Sequence, residues 1–276
     1  MKNEYSRITA RQNPLIKMLS GLDRRRERDE LRLFCAEGKT LFYEALSNGL
    51  FPKYAVVADK AANDTRLTDM LDRLPAESVF TVPDSVYEKL SDEKSPEGIF
   101  CAFSYDSVKN RFSCGSGPFP QVFMPQTVRG GNFIILEKIQ DPGNLGSMLR
   151  SAVAFGLDGA VLCGTCDPFS SKTLRGAMGA AFSLPIYEAD DIAQGVGFVR
   201  SLGCSVYAAV LDKNSVTLSH NEPDMENACV IIGNEGNGLS SEAKALADLS
   251  VIIPIKGIES LNAATAAAVF MYEMRK

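Results

Sequence analysis

Three short stretches in the C-terminal half of the chain combine residue types that suit ligand binding or catalysis, and each follows a predicted strand. The first stretch, residues 141–150, opens a predicted helix that Asn144 can cap. Arg150 lies six residues further on, and its planar guanidinium has a geometry that suits a phosphate. Taken alone, such an arginine is more often a solvated charge than a catalytic group, so its meaning depends on the other two stretches.

The second stretch, residues 231–240, is rich in glycine and carries an acid, Glu235, at its centre. Glycine at the end of a strand lets the backbone approach a ligand closely or take a positive φ. Gly233, Gly236 and Gly238 have the spacing G-x-x-G-x-G, which differs from the G-x-G-x-x-G of dinucleotide-binding folds. A phosphate-binding loop would also avoid the fixed charge of Glu235. The stretch therefore does not indicate a dinucleotide or phosphate site.

The third stretch, residues 253–262, joins the last predicted strand to the last predicted helix. Ser260 or Asn262 is placed to cap that helix. The helix begins with residues 263–268, which are five alanines and one threonine. A surface this small requires close packing, and the packed group is another backbone, a ligand or a partner subunit.

Strands and helices alternate through the N-terminal half, which describes a compact α/β domain. The predicted strands are residues 31–35, 54–58, 78–82 and 98–103. The predicted helices are residues 11–22, 40–50, 67–74 and 84–90. Residues 104–131 then show no period and are rich in glycine and proline, which predicts a linker or long loop and a domain boundary.

Alternation resumes in the C-terminal half and predicts a doubly wound, mainly parallel α/β domain. Its predicted strands are residues 132–137, 159–163, 184–188, 205–211, 228–233 and 250–254. Its predicted helices are residues 144–155, 172–178, 192–202 and 262–274. Folds of this kind bind ligands at the carboxyl ends of the strands, where the three stretches lie.

The charge of the chain is unevenly distributed. The net charge is −5, but residues 1–40 hold ten Lys or Arg and six Asp or Glu, a local balance of +4. The basic run at residues 24–28 is the densest part. It is consistent with a solvated helix end, and also with a surface that contacts RNA phosphates.

Cysteine and histidine usage argues against a metal site. The seven cysteines are odd in number and scattered, and Cys163 and Cys166 form the one C-x-x-C pair. The single histidine, His220, lies outside the three stretches, so the ligands of a zinc site are lacking. The N-terminus leads into no apolar run and no stretch approaches a membrane span of about 20 residues, so we expect a cytoplasmic protein without a membrane anchor.

In their order and spacing, the three stretches resemble the motifs of the SpoU family of RNA ribose 2′-O-methyltransferases, in the SPOUT (TrmH-like) class. The first matches Asn-x-Gly-x-x-x-Arg at Asn144, Gly146 and Arg150. The second matches Gly-x-Glu-Gly-x-Gly at Gly233, Glu235, Gly236 and Gly238. The third matches the last motif at Ile253, Pro254, Gly257, Ser260, Leu261 and Asn262. The resemblance covers about residues 130–276, and residues 1–105 are similar in layout to the family's L30e-like domain.

The resemblance implies a fold and a set of site residues. The fold is a small L30e-like α/β domain at residues 1–105 that binds the RNA, a linker at 106–130, and a SPOUT methyltransferase domain at 131–276 whose parallel sheet ends in a trefoil knot. The implied binding residues for S-adenosylmethionine are Gly233, Gly238, Ile253, Ser260 and Leu261. The implied catalytic residues are Asn144, Arg150, Glu235 and Asn262.

The same resemblance implies the chemistry. Arg150 binds the RNA phosphate near the target ribose and helps to activate its 2′-hydroxyl, while Asn144, Glu235 and Asn262 position the reacting groups. Because His220 lies outside every motif, a histidine base is not expected, and the proton acceptor stays open. The family's members act as homodimers with the site near the subunit interface.

The substrate and two competing functions stay open in the sequence. An N-terminal domain of this kind is typical of members that modify ribosomal RNA, and transfer RNA is the second candidate. An RNA-binding adaptor without catalysis is an alternative that the intact motif residues oppose. An oxidoreductase with a nicotinamide cofactor is another, which the lack of an early G-x-G-x-x-G opposes.

Overall fold

A computed structural model describes residues 5–114, 130–219 and 222–275 of the chain. The chain divides into two compact units. The first unit comprises Met1–Lys109 and Phe169–Phe182, and the second comprises Asn110–Pro168 and Ser183–Lys276. His220 lies outside the described residues.

The first unit is built on a five-stranded mixed sheet. Its strands are β1 Ser6–Arg7, β2 Leu33–Glu37, β3 Tyr54–Ala58, β4 Val79–Val82 and β5 Ile99–Ser104. Its helices in this part of the chain are α1 Pro14–Ser20, α2 Arg25–Leu31, α3 Lys39–Ser47, α4 Thr65–Leu71 and α5 Asp84–Tyr87. The sheet order is β1-β4-β3-β5-β2, with β5 antiparallel to both of its neighbours. The α/β layout predicted for this half is confirmed.

The basic run forms α2, a helix that the apolar pattern does not predict. Arg24, Arg25 and Arg26 each lie within ion-pair distance of an acid about one turn further along. Arg28 is buried and donates to two backbone carbonyl oxygens, at 2.9 and 2.7 Å. Arg28 therefore stabilises the unit, while Arg24, Arg25 and Arg26 pair at its exposed surface. Contact of this run with RNA stays a prediction.

A segment from the C-terminal half, Phe169–Phe182, belongs to the first unit. Phe169 packs edge-on against Phe34 at a centroid distance of 4.9 Å, and Phe182 lies 6.4 Å from the same ring. The helical periodicity of this segment is predicted correctly, because Ser171–Ala177 is a helix. Its grouping with the first unit depends on these aromatic contacts, which periodicity does not encode.

The second unit is built on an eight-stranded sheet in which every pair of neighbours is parallel. Its strands are β6 Arg111–Ser113, β7 Phe133–Glu137, β8 Gly159–Cys163, β9 Ile186–Ala189, β10 Ser205–Ala209, β11 Val216–Thr217, β12 Ala228–Ile232 and β13 Leu249–Ile252. The helices that follow α5 are α6 Pro142–Ala154, α7 Ser171–Ala177 of the first unit, α8 Ile192–Ser201, α9 Ser241–Leu246 and α10 Ala263–Glu273. The predicted parallel α/β class is confirmed.

The sheet order creates a switch point beside β7. The order is β11-β13-β10-β12-β7-β8-β9-β6, so the chain runs from β7 to β9 on one side and returns to build β10, β12 and β13 on the other. A crevice for ligands opens at the carboxyl ends of the strands where the order reverses. Those strands are β7 and β12, and the first two stretches follow them directly.

Part of the segment predicted as a linker is a sheet strand. β6 lies within residues 106–130 and pairs with β9, and its Arg111 is buried in an ion pair with Glu188. The glycines and prolines that suggested a linker fall largely at residues 115–129, which lie outside the described residues. Among the helices of the described residues, none is long and apolar enough to cross a membrane.

In the C-x-x-C pair, Cys163 is buried and Cys166 is partly buried. Burial raises the pKa of Cys163 to about 12 and that of Cys166 to about 11, with smaller effects from neighbouring ionisable side chains. Thiol exchange uses the thiolate, which such pKa values disfavour at neutral pH.

Candidate active site

The second and third stretches line a cavity of about 380 Å³ in the second unit. The first stretch does not line it, but hydrogen bonds join it to the other two. All five residues expected to bind the donor line this cavity: Gly233, Gly238, Ile253, Ser260 and Leu261. Its volume lies within the range of roughly 300–1,000 Å³ that is usual for small-molecule sites.

Gly233 allows the two sides of the second stretch to touch. A Cβ atom at this position would lie 2.4 Å from the carbonyl carbon of Gly238 and 2.5 Å from the backbone nitrogen of Leu239. Asn234 and Gly238 exchange two backbone hydrogen bonds, of 2.9 and 3.2 Å, which close the turn between them. The turn therefore has room for glycine alone at Gly233, and its backbone forms a wall of the cavity.

Glu235 connects the second stretch to the first. Its carboxylate accepts hydrogen bonds from the backbone nitrogens of Gln140 and Asp141, at 3.3 and 3.2 Å. It also accepts one from the side-chain nitrogen of Asn144, at 3.1 Å. We call this set of contacts the Glu235 latch. It fixes the loop after β7 against the turn that lines the cavity.

Asn262 extends the latch to the third stretch. Its side-chain nitrogen donates to Oδ1 of Asn144 at 3.2 Å. Its own Oδ1 accepts from the backbone nitrogens of Ala264 and Thr265, so it caps α10 as the sequence predicts. Three of the four residues expected to be catalytic, Asn144, Glu235 and Asn262, therefore form one connected set.

The prediction that Asn144 caps α6 is wrong. Asp141 occupies the N-cap position, and its Oδ1 accepts from the backbone nitrogen of Asn144 at 2.8 Å. Pro142 takes the first helical position, where its missing N–H costs nothing. Because Asp141 satisfies the helix end, both polar atoms of the Asn144 side chain are available for the latch.

Glu235 is a poor proton acceptor at neutral pH. Burial raises the pKa of its carboxyl, but the hydrogen bonds from Asn144 and the backbone outweigh burial, so its pKa lies below the ordinary 4.5. A carboxyl with a lowered pKa keeps its charged contacts above that value and loses them as the pH falls through its own pKa. The latch is therefore charged at neutral pH and holds the loops in position.

Arg150 stands apart from the latch. It lies on α6, about 9 Å along the helix axis from Asn144 at about 1.5 Å per residue. Its side chain is exposed, and within residues 5–114, 130–219 and 222–275 no hydrogen bond or ion pair holds it. A guanidinium in this state is available to an anion from outside, and a phosphate matches its paired donors.

The cavity also contains residues that the motifs do not include. Ala209, Val210 and Leu211 line it from the end of β10, next to β12 in the sheet. The rule that ligands lie at the carboxyl ends of parallel strands identifies this position before the structure is known. Lys244 on α9 and Phe270 on α10 line it too, and no pattern in the sequence marks either one.

The variant Glu235→Gln tests whether the Glu235 latch positions the loops of the site. The amide retains the shape of the carboxylate, but its nitrogen cannot accept a hydrogen bond from Gln140, Asp141 or Asn144. Hydrogen bonds to a charged acceptor contribute about 1.5–3 kcal/mol each, so we expect the site's turnover to fall about 10- to 100-fold. Single-turnover assays measure the loss.

Glu242→Gln is the matched control for this variant, because Glu242 is an exposed acid of the neighbouring helix α9. It should retain the turnover of the unaltered protein. An unchanged rate in Glu235→Gln would contradict the positioning role of the latch.

Comparisons with known proteins show which families the chain resembles. Residues 131–272 match the SpoU rRNA Methylase family, and residues 13–101 match the MRM3-like substrate binding domain. The chain is 29% identical to the 23S rRNA (guanosine(2553)-2′-O)-methyltransferase RlmP of Bacillus subtilis, over 97% of this chain and 98% of that protein. It is 30% identical to an uncharacterized tRNA/rRNA methyltransferase of Synechocystis, over 100% of this chain and 96% of that protein.

A solved structure shares the whole fold. The crystal structure of an AdoMet-bound rRNA methyltransferase from Sinorhizobium meliloti matches with a TM-score of 0.78 and 28% identity, over 99% of this chain and 98% of that one. AdoMet is S-adenosylmethionine.

Proposed function

The chain belongs to the SpoU rRNA Methylase family, and from this premise we propose that it transfers a methyl group from S-adenosylmethionine to a ribose 2′-hydroxyl of ribosomal RNA. The observation that carries the proposal is the connected set of Asn262, Asn144 and Glu235 beside the cavity. These residues join the three motif loops into one site. A decayed binding module would have no need to keep such a set, which argues against a non-catalytic adaptor.

The cavity fits the methyl donor in size and chemistry. Gly233 and Gly238 bring bare backbone to its wall, Ile253 and Leu261 supply apolar surface, and Lys244 adds a cation. Backbone groups and apolar surface suit an adenosine, and a cation suits a carboxylate. When bound, the donor supplies an electrophilic methyl on a sulfonium.

The protein's own residues then orient the acceptor. Arg150 binds the phosphate next to the target ribose and helps to activate the 2′-hydroxyl. The Glu235 latch keeps the loop after β7 in register with the donor cavity, which limits the loss of alignment between acceptor and methyl. Alignment is worth several kcal/mol in reactions between two bound partners.

Ribosomal RNA is the substrate favoured by the relatives. The Bacillus subtilis protein is named for 23S rRNA, whereas the Synechocystis protein is named for both tRNA and rRNA. Ribose methylation mapped in RNA from cells with and without the gene separates these substrates. We expect a ribosomal RNA position to lose its methyl group in the deleted strain. Loss confined to transfer RNA would contradict the choice of substrate, and no loss in either RNA would contradict the proposal.

A homodimer is part of the same proposal. Val153 on α6 and Tyr272 on α10 are exposed to 41% and 47%, and the two helices pack against each other. Apolar side chains on adjoining helices favour a partner surface. Light scattering on the purified protein should give twice the mass of the chain. The trefoil knot, the boundaries at residues 105 and 131, and a cytoplasmic location stay predictions.

A further inference from the structure

A second cavity, of about 350 Å³, lies against the same turn that forms the wall of the donor cavity. Lys138 and Gln140 line it from the end of β7, and Asn237 and Ser240 line it from the second stretch. Four residues of the turn line both cavities: Asn234, Asn237, Gly238 and Leu239. We call this second space the β7 cavity. The residues of the first motif, which ends at Arg150, and of the third motif, which ends at Asn262, are not among its lining residues.

The β7 cavity is held open by contacts on both sides. The side-chain nitrogen of Asn234 donates to the carbonyl oxygen of Lys138 at 2.9 Å. The backbone nitrogen of Ser240 donates to the buried carboxylate of Glu137 at 2.9 Å. The Glu235 latch adds a third link, to Gln140. Because its two walls are tied together at these points, the cavity is formed before any ligand arrives.

Lys138 has an unusual backbone for its residue type. Its φ is +55°, in the left-handed region that a lysine rarely adopts. Its nitrogen donates to the carbonyl oxygen of Cys163 at 2.8 Å, and its own carbonyl accepts from Asn234, so the conformation is fixed from both sides. Strained residues that the surrounding structure holds in this way concentrate at functional sites.

The Lys138 side chain is exposed, and no hydrogen bond or ion pair engages it in the part of the chain that the structure describes. The acids of the adjoining loops are engaged elsewhere, since Glu235 accepts from three N–H groups and Asp141 caps α6. The β7 cavity therefore combines an unpaired cation with the amides of Gln140 and Asn237. This combination suits a phosphate together with a polar sugar or base edge.

We propose that the β7 cavity binds a nucleotide unit of the substrate RNA, with Lys138 pairing with its phosphate. The proposal rests on the proposed function, because the reacting ribose must come within about 3–3.5 Å of the donor methyl. Nucleotides that flank such a ribose must pass close to the donor cavity, and the β7 cavity shares the turn at Asn234 and Gly238 with it. Lys138 is a binding residue distinct from Arg150.

The test compares Lys138→Asn with Lys138→Arg in the full-length protein. Asparagine tolerates the left-handed region and removes the charge, while arginine retains the charge. The probe is unmodified large-subunit ribosomal RNA transcribed in vitro, with its dissociation constant measured from about 50 to 200 mM salt. We expect Lys138→Asn to weaken RNA binding about five- to tenfold and to lower the slope against log salt by about 0.7–1. Lys138→Arg should stay within about twofold of the unaltered protein.

Three further measurements decide what any loss means. Lys213→Asn, which removes an exposed lysine of the same unit outside both cavities, should leave RNA binding and the salt slope unchanged. Calorimetry should give Lys138→Asn the donor affinity of the unaltered protein. Thermal unfolding should report a folded protein, and if Lys138→Asn does not fold, Lys138→Gly removes the charge and the backbone strain together.

Several outcomes would overturn the proposal. The first is an unchanged salt slope in Lys138→Asn. The second is a loss of RNA affinity in Lys213→Asn equal to that in Lys138→Asn. The third is a loss of donor affinity in Lys138→Asn, which would assign Lys138 to the donor's carboxylate. The proposed function is tested separately, by measuring methyl transfer to RNA catalysed by the unaltered protein. If the unaltered protein transfers methyl groups but its RNA affinity does not depend on Lys138, this inference alone is wrong. If the unaltered protein transfers no methyl group, the proposed function is wrong.

Discussion

Arg150→Ala is expected to lower methyl transfer by about 100- to 1,000-fold, the loss usual when a group that stabilises charge in the transition state is removed. The guanidinium is exposed, is held by no other described residue, and lies outside the lining of the donor cavity. Its removal therefore leaves the fold and the cavity intact. Donor affinity, measured by calorimetry, should stay within about twofold, since surface substitutions away from a site usually have small effects.

The variant Arg150→Lys separates the effect of the positive charge from that of the paired donors. Lysine retains the positive charge but presents a single ammonium in place of the paired donors of the guanidinium. We expect an activity between those of Arg150→Ala and the unaltered protein. If Arg150→Ala instead lost its donor affinity, the assignment of Arg150 to the RNA would be wrong.

Gly233→Ala should have the second large effect, on the donor site itself. The new methyl group would lie 2.4–2.5 Å from backbone atoms of Gly238 and Leu239, and backbone cannot rotate away as a side chain can. The turn that lines both cavities has to open. We expect a destabilisation of about 1–3 kcal/mol, typical of overpacking, and a fall in the melting temperature of about 2–4 °C for each kcal/mol. Donor affinity should fall more than tenfold.

Gly197→Ala is the matched control. Gly197 lies in α8 of the same unit, and a Cβ atom there meets nothing within 4 Å. Alanine in a helix interior stabilises by about 0.5–1 kcal/mol relative to glycine. The control should therefore retain donor binding and melt at the same or a slightly higher temperature. A Gly233→Ala protein that binds the donor normally would refute the role given to the close approach.

The positions of the binding loops are predictable because they follow from strand order. A parallel sheet places the carboxyl ends of its strands at one edge, so stretches that begin directly after β7 and β12 must approach each other. The 3.1 Å contact between Glu235 and Asn144 is the result. The helix caps are predictable only in part. Asp141 and Asn144 are both residue types that favour the N-cap position, and the sequence does not decide which of them caps α6.

Other features depend on contacts that no local pattern encodes. Helix α2 has no apolar face and is held by ion pairs and by the buried Arg28. The segment Phe169–Phe182 has an ordinary helical period, yet its aromatic rings place it in the first unit. Lys138 carries no signal in the sequence, since its positive φ is imposed by bonds to distant residues.

The structure shows what packs against the small residues at the start of α10. The sequence leaves another backbone, a ligand or a partner subunit as the packed group. Ala264 and Ala267 are buried within the unit, whereas Ala263 and Ala266 line the donor cavity. The first turns of the helix therefore serve both packing within the unit and the ligand.

Transfer of a labelled methyl group tests the central claim most directly. The purified protein is incubated with S-adenosylmethionine labelled in its methyl group and with unmodified large-subunit ribosomal RNA, and the RNA is digested to nucleosides. We expect the label in a single 2′-O-methylated nucleoside, with transfer by Arg150→Ala lower by about 100- to 1,000-fold. Label in a base-methylated nucleoside, or none in ribosomal RNA or transfer RNA, would contradict the account.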